Sequence, residues 1–293
     1  MKEFFTLPSL KRIASAYALP ARKSLGQHFL LDEGITNQIA RCAGDLTLYN
    51  VIEIGPGPGG LTRSLLKAGA KKLFVVEKDA RCIAIMNQLQ EVAGARLEII
   101  HGDALETDLI KTIPAPRKIV ANLPYNAGTV MLLRWLEDVY VQGTEAFASL
   151  TLMFQKEVAE RIVAGHGNRN YGRLSVISQW LCDCRYDFEL PPEAFTPPPK
   201  VSSAVITLTP RGKPLVDVSK DALEKVVAKA FGQRRKMLRQ ALRGMAAPAD
   251  VLLEKAGIDG TLRAEQLDVM TLGRLAQCHA ELAAVSGKKD RTP

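Results

Sequence analysis

The sequence predicts an α/β protein, a mostly parallel sheet with an antiparallel edge, followed by a small helical domain. Three observations carry this. Short apolar, β-branched runs alternate with helical stretches as far as about residue 180. Two strand-like runs then follow one another with only a Pro-rich connection. Beyond residue 210 only helical periodicity remains. Strands separated by helices need right-handed crossovers, which set them parallel and cover the sheet on both faces.

The elements follow in order. YNVIEI (49–54) is a strand ending in glycines, and LTRSLLKAG after it is helical. KLFVVE (72–77) is a strand and RCIAIMNQLQEVA (81–93) a helix. RLEIIHGD (96–103) and KIVANLP (118–124) are strands that close in polar or turn residues, and SLTLMFQ (149–155) precedes a helical KEVAERIVA. CDCRYDFEL and VSSAVITLTP form the expected antiparallel edge pair. Pro210, Gly212 and Pro214 then punctuate the chain and set a domain boundary at 210/211. In DALEKVVAKAF, Leu223, Val226, Val227, Ala230 and Phe231 recur at helical spacing. MLRQALRGM, VLLEKAGI and LGRLAQCHAELAAV supply further helices.

With 293 residues, 47% hydrophobic and 24% charged, the chain is neither disordered nor fibrous. No apolar run reaches the roughly 18–20 residues of a membrane-spanning helix. Residues 1–20 are an N-terminal extension, too interrupted by Lys11 and Arg12 for a secretory signal. Its basic character leaves a mitochondrial-type presequence open. Five scattered cysteines, no CxxC pair and four distant histidines predict a reduced, cytoplasmic protein without a metal site. The net charge of +8 is uneven: residues 1–210 hold 23 basic and 21 acidic groups, residues 211–293 hold 16 and 10.

Gly55, Gly57, Gly59 and Gly60 directly follow a strand and precede a helix. Glycine there supplies unusual backbone angles and lets a ligand approach the main chain. Read alone, the run is either a nucleotide loop or a turn without a ligand. Glu77 closes the next strand, where a carboxylate accepts from ribose hydroxyls. A dinucleotide loop reads GxGxxG; this one reads GxGxG, with Glu53 just before it. A carboxylate so placed repels a pyrophosphate and suits a cationic, amino-acid-bearing ligand, which favours S-adenosylmethionine over a nicotinamide. Asp103 in HGDAL is either an acceptor for an adenine amine or a helix N-cap.

Asn122-Leu123-Pro124-Tyr125 ends the next strand, at the edge where open α/β sheets bind ligands. An exocyclic adenine amine is a poor nucleophile because its lone pair is delocalised into the ring. Acceptance of its hydrogens by the Asn122 side chain and the Pro124 carbonyl would favour a pyramidal nitrogen aimed at a methyl group. Tyr125 offers a ring for the base to stack on. The bland alternative is a strand-to-turn connection with an ordinary buried tyrosine.

On these residues the chain resembles the ribosomal RNA adenine N6,N6-dimethyltransferase family, above all its bacterial small-subunit (16S) members. KSLGQHFLLD (23–32), IEIGPGPGGLT, VVEKD, GDAL, NLPY, YGRLSV (171–176) and FTPPPKVSS (195–203) all match in order. The resemblance implies a Rossmann-like class I methyltransferase domain over residues 21–210 and a small basic, RNA-contacting domain over 211–293. It assigns donor contacts to His28, Leu30, Gly55, Glu77, Asp103 and Asn122, with His at position 28 where the family more often has Asn. Phe195 would form a second aromatic wall opposite Tyr125. The implied reaction is dimethylation at N6 of two adjacent adenosines in a hairpin near the 3′ end of small-subunit rRNA, within an assembling small subunit. No obligate protein partner is implied. Arg234, Arg235, Lys236, Arg239 and Arg243 lie without an intervening acid, and on a continuous helix 235, 239 and 243 would share one face toward phosphates. Alternatives are a large-subunit methyltransferase of the macrolide-resistance type and a non-catalytic nucleic-acid-binding relative. The intact donor loop and NLPY weigh against the latter.

Overall fold

The computed structural model describes residues 10, 12 and 28–289, with side chains described as far as 285. The expected N-terminal extension and residues 23–27 of the first motif lie outside the described residues. The chain divides into two compact units, Met1–Ala159 with Cys184–Pro210, and Glu160–Asp183 with Arg211–Pro293. One division between the units falls at 210/211. Residues 160–183 group with the second unit, whereas the sequence reading keeps them in the first.

The strands are β1 (Phe29–Leu30), β2 (Asn50–Ile54), β3 (Lys72–Glu77), β4 (Leu97–His101), β5 (Arg117–Asn122), β6 (Ser149–Gln155), β7 (Cys182–Leu190), β8 (Phe195–Thr196) and β9 (Ser203–Pro210). Seven form one sheet in the order β4-β3-β2-β5-β6-β9-β7. β2, β3, β4, β5 and β6 pair in parallel, and β9 runs antiparallel to β6 with Ser203 opposite Gln155. The predicted mostly parallel sheet with an antiparallel edge is what the chain forms. β1 and β8 make a separate two-stranded ribbon, with Leu30 opposite Phe195.

Alternate residues of the central strands point to opposite faces. On one face Val51, Leu73, Val75 and Val120 share an apolar cluster with Ile39, Leu65 and Met86 of helices Glu33–Cys42, Gly60–Lys67 and Ala80–Ala93. Ile52, Phe74 and Ile119, of opposite parity, are equally buried. Burial on both faces explains why these strands read as continuous apolar runs. Helix Gly128–Gln142 is an element that reading the strands one by one passes over. It starts three residues after NLPY and buries Met131, Leu132, Trp135, Leu136 and Val139. Its first turn has no side-chain cap; the Pro124 carbonyl takes the N–H groups of Ala127 and Gly128 instead.

The second unit packs helix Lys220–Gly232 against helix Val269–Lys289, and Val226, Val227, Phe231, Leu272 and Leu275 of the two helices are buried. Residues 160–183 belong with it because their polar groups are tied there: Trp180 Nε1 donates to the Val216 carbonyl at 2.9 Å, and the Arg211 N–H to that of Leu181 at 2.8 Å. The helix expected over MLRQALRGM shrinks to Leu238–Ala241. Leu238 and Arg239 instead donate their N–H groups to the carbonyls of Leu262 and Gly260.

Arg117 opens β5 and is almost wholly buried. Its guanidinium donates to the carbonyls of Ile110, Ile113, Glu145 and Ala146, so one side chain satisfies two loop ends. Arg117→Ala leaves these acceptors without a donor and should lower unfolding free energy by about 3 kcal/mol in urea titrations. A loss below about 0.5 kcal/mol would contradict the bridging role.

Candidate active site

The parallel registers bring the carboxyl ends of β2, β3, β4 and β5 to one edge, and a cavity of about 350 Å³ opens there. His28, Leu30, Gly55, Glu77, Asp103, Asn122, Pro124 and Tyr125 all line it. Eight of the nine residues expected at the donor and base sites are thus gathered. Phe195 is not. Its side chain is buried in the apolar cluster with Phe29 and Leu30, where the β1–β8 pairing turns it inward.

The glycine loop is shaped more by its own protein than by open space. Gly55 has φ of +63° and nothing within 4 Å of where a Cβ would sit, so conformation alone selects glycine there. At Gly60 a Cβ would lie 2.5 Å from the Leu30 carbonyl, because β1 lies across the start of helix Gly60–Lys67.

Three carboxyl groups, Glu53, Glu77 and Asp103, and Asn122 define the chemistry. Glu77 is buried, and the N–H groups of Lys78 and Asp79 both donate to its Oε1 at 2.8 Å. Burial raises its pKa, partly offset by these bonds and one from the Gly57 N–H. Asp103 behaves oppositely. Its Oδ1 accepts from the Leu105 N–H at 2.9 Å and its Oδ2 from Lys78 Nζ at 3.1 Å, which lower its pKa. The N-cap alternative is half realised: Asp103 closes a local turn, not a helix. Asp79, also buried, caps helix Ala80–Ala93 and pairs with Arg81, a structural duty.

Glu53 is 2% exposed, lines the cavity and has one oxygen, Oε2, without a hydrogen-bond partner. Burial pushes its pKa up to about 8, against bonds from Thr62 and with help from the nearby Glu77. At neutral pH the carboxyl is therefore mostly protonated in the free protein. Simple charge repulsion of a pyrophosphate is weaker than the sequence reading supposes. A buried, unbonded oxygen instead fits a ligand that brings its own donor or positive charge.

Asn122 Nδ2 donates to the His28 carbonyl at 3.1 Å, which turns Oδ1 the other way, and Oδ1 has no bond among the described residues. The Tyr125 hydroxyl bonds Ser203 Oγ, fixing the ring. Sequence reasoning misses two neighbours here. Ser203 belongs to a recognised motif but carries no sign of its partner, and the His28 ring stacks on Tyr125 at 5.3 Å between centroids. His28 Nδ1 also lies 2.9 Å from the Pro197 carbonyl. The Pro124 carbonyl, expected as an acceptor for a target amine, already serves two helix N–H groups.

In the second unit the helix Lys220–Gly232 ends before the basic run. Arg235, Arg239 and Arg243 therefore do not share one helical face, since residues 233–237 form a turn. Arg235, Lys236, Arg239 and Arg243 are exposed, while Arg234 bonds backbone carbonyls.

A family model described as "Ribosomal RNA adenine dimethylase" matches residues 18–280. A protein of Jannaschia sp. (strain CCS1) named "Ribosomal RNA small subunit methyltransferase A" is 52% identical over 271 residues, 92% of this chain and 93% of its own. The protein of the same name from Ruegeria pomeroyi is 51% identical over 277 residues, covering 94% and 99%. Among solved structures, a dimethyladenosine transferase from Plasmodium falciparum superposes with a TM-score of 0.76 at 26% identity, over 87% of this chain and 98% of that one.

The Glu53 environment has a measurable sign. Its folded-state pKa lies above the ordinary carboxyl value of 4.5, so its contribution to stability is complete below about pH 4.5 and is lost as pH rises to about 8. Glu53→Gln keeps the shape and cannot ionise. Unfolding free energies measured from pH 5 to 9 should fall for the wild type relative to Glu53→Gln until about pH 8, then level off. Parallel profiles would show that the carboxyl is not so buried in solution.

Proposed function

The chain belongs to the ribosomal RNA adenine dimethylase family, and from that premise we propose that it transfers methyl groups from S-adenosylmethionine to adenine N6 in small-subunit rRNA. The targets are two adjacent adenosines in a hairpin near the 3′ end of 16S rRNA, each dimethylated, with the assembling small subunit as substrate and the cytoplasm as compartment. The observation that supports this most directly is the convergence of Glu53, Glu77, Asp103 and Asn122 on one cavity beside Tyr125.

Each group has a part. Glu77, held by three backbone N–H groups, would accept from the ribose hydroxyls, and Asp103 from the donor's adenine amine. Glu53 offers its unbonded oxygen to the donor's ammonium, which would favour the ionised carboxyl. His28, Leu30 and Gly55 line the same cavity and complete the donor contacts. No metal is invoked.

The target adenine must leave its stack to reach this edge. The fixed ring of Tyr125 gives it a face to lie on. Asn122 Oδ1 would accept from N6–H, with the Pro124 carbonyl sharing its helix-bonded oxygen as a second acceptor. The N6 lone pair then attacks the methyl carbon as the carbon–sulfur bond breaks, S-adenosylhomocysteine leaves, and the cationic nitrogen loses a proton to solvent. No general base is needed. Arg235, Lys236, Arg239 and Arg243 in the second unit would add sequence-independent phosphate contacts.

Labelled S-adenosylmethionine supplied with unmethylated small subunits, large subunits or naked rRNA tests the reading. N6,N6-dimethyladenosine should form in the small subunit. Label confined to large-subunit RNA would transfer the chain to the resistance type, and RNA binding without label to the non-catalytic relatives. Asn122→Ala should lower kcat by about 10²–10³-fold with the KM for small subunits nearly unchanged. Glu77→Ala should weaken S-adenosylmethionine binding by at least about tenfold in calorimetry.

A further inference from the structure

We propose that His28 is a positioning residue for the target base: its ring sets the plane of Tyr125, on whose far face the adenine lies, while its carbonyl orients Asn122. This rests on the reading of the protein as an adenine-N6 methyltransferase and goes beyond the donor contact that the resemblance gives His28.

The register of the β1–β8 ribbon starts the chain of contacts. Phe29 pairs with Thr196, so the antiparallel course carries His28 alongside Pro197. His28 Nδ1 lies 2.9 Å from the Pro197 carbonyl. A carbonyl only accepts, so Nδ1 carries the hydrogen, in the neutral and the charged ring alike. That bond anchors the half-buried imidazole on backbone, and the ring stacks on Tyr125 with 5.3 Å between centroids and 29° between planes.

Tyr125 needs such a neighbour. Its hydroxyl bonds Ser203 Oγ, which fixes the tip of the ring. The phenol oxygen lies on the ring's own long axis, so this bond does little to set the tilt of the plane about that axis, and tyrosine χ2 is broad. A flat contact on one face does set it. Stacking on His28 therefore supplies the orientation that Ser203 cannot.

The same spacing says where the base goes. A base held between two rings needs two contacts of about 3.5 Å, or about 7 Å from ring to ring. At 5.3 Å, His28 and Tyr125 leave no such slot. Phe195 is buried in the apolar cluster and offers no second wall either. The adenine accordingly stacks on the face of Tyr125 turned away from His28, which backs the platform instead of facing the base. The main chain of the same residue serves the acceptor: Asn122 Nδ2 donates to the His28 carbonyl at 3.1 Å, which leaves Oδ1 for N6. One residue thus ties the plane of the base to the direction of its acceptor. Replacing its side chain removes the first tie and keeps the second, so the role of the ring is separable.

Single-turnover methylation of unmethylated small subunits by the full chain, at saturating S-adenosylmethionine, tests this. Saturation removes any effect on donor affinity, which calorimetry follows separately, and circular dichroism checks that each variant is folded. His28→Ala should slow transfer about 3–10-fold, the worth of one ring contact, with small-subunit affinity nearly unchanged. His28→Phe keeps a ring and should recover most of that loss; His28→Asn has no ring and should stay with His28→Ala. In a Tyr125→Leu background, which itself slows transfer, His28→Ala should add no further loss, because its effect runs through the tyrosine. The imidazole C–H resonances should also move downfield in Tyr125→Leu as they leave the ring current. An equal loss from His28→Ala in both backgrounds, or a His28→Phe as slow as His28→Ala, would overturn the positioning role. So would a wild-type rate for His28→Ala at saturating donor with weakened donor binding, which would leave His28 a donor contact only. Unchanged imidazole resonances in Tyr125→Leu would sink the stack and leave the methyltransferase reading intact. If the wild type methylates no small subunits, the broader reading fails first.

Discussion

Parallel strand register is the constraint on which the rest of the first unit depends. Ile54 lies opposite Val76, and Glu77 opposite His101, so the carboxyl ends of β2, β3 and β4 stop almost level. β5 is held against β2 by Asn50–Arg117 and Ile52–Ile119 pairing, which carries Asn122 to the same edge. Both faces of β2, β3 and β5 are buried, so a slip of one residue would exchange every side chain between faces. The polar groups at the strand ends are positioned by apolar residues several positions away.

That constraint lets three carboxyl groups with the same chemistry behave differently. Glu53 and Glu77 have been withdrawn from water, and burial raises both. Asp103 stays more accessible, with an ammonium and a backbone N–H on it, and is lowered. One edge of the sheet thus offers a neutral acid, a hydrogen-bonded carboxylate and an ion-paired one within a single cavity. A ligand carrying both a positive charge and several hydroxyl or amine donors is matched by such a set.

Much of this was legible from residue order. The β-branched runs that end in Glu77, Asp103 and Asn122 marked the strands, and the glycines marked the loop, because those signals are local. What stayed hidden was long-range. Phe195 reads as an aromatic wall until β1 pairs with β8 and draws it into the core. The basic run reads as one helix because its spacing is helical, yet the N–H groups of Leu238 and Arg239 find carbonyls at 262 and 260 that no local pattern announces. Residues 160–183 likewise join the later helices through Trp180 and Leu181, whose partners lie more than 25 residues onward. The stacking of His28 on Tyr125 joins positions nearly 100 apart.

The ribbon of β1 and β8 has a consequence for the order in which the protein becomes competent during its synthesis. Leu30 and Phe195 are separated by 165 positions, and their pairing is what lays the 28–30 segment beside the glycine loop. Until the chain has grown past residue 196, the ribosome holds back the strand that completes this wall of the cavity. The loop, Glu77, Asp103 and Asn122 can all be in place before then, since β2 to β6 pair among themselves. Contacts of such sequence separation form late because the entropy of closing the intervening chain must be overcome first. A nascent chain therefore carries the floor of this cavity well before it carries the wall, and the cavity is complete only when the sheet nearly is.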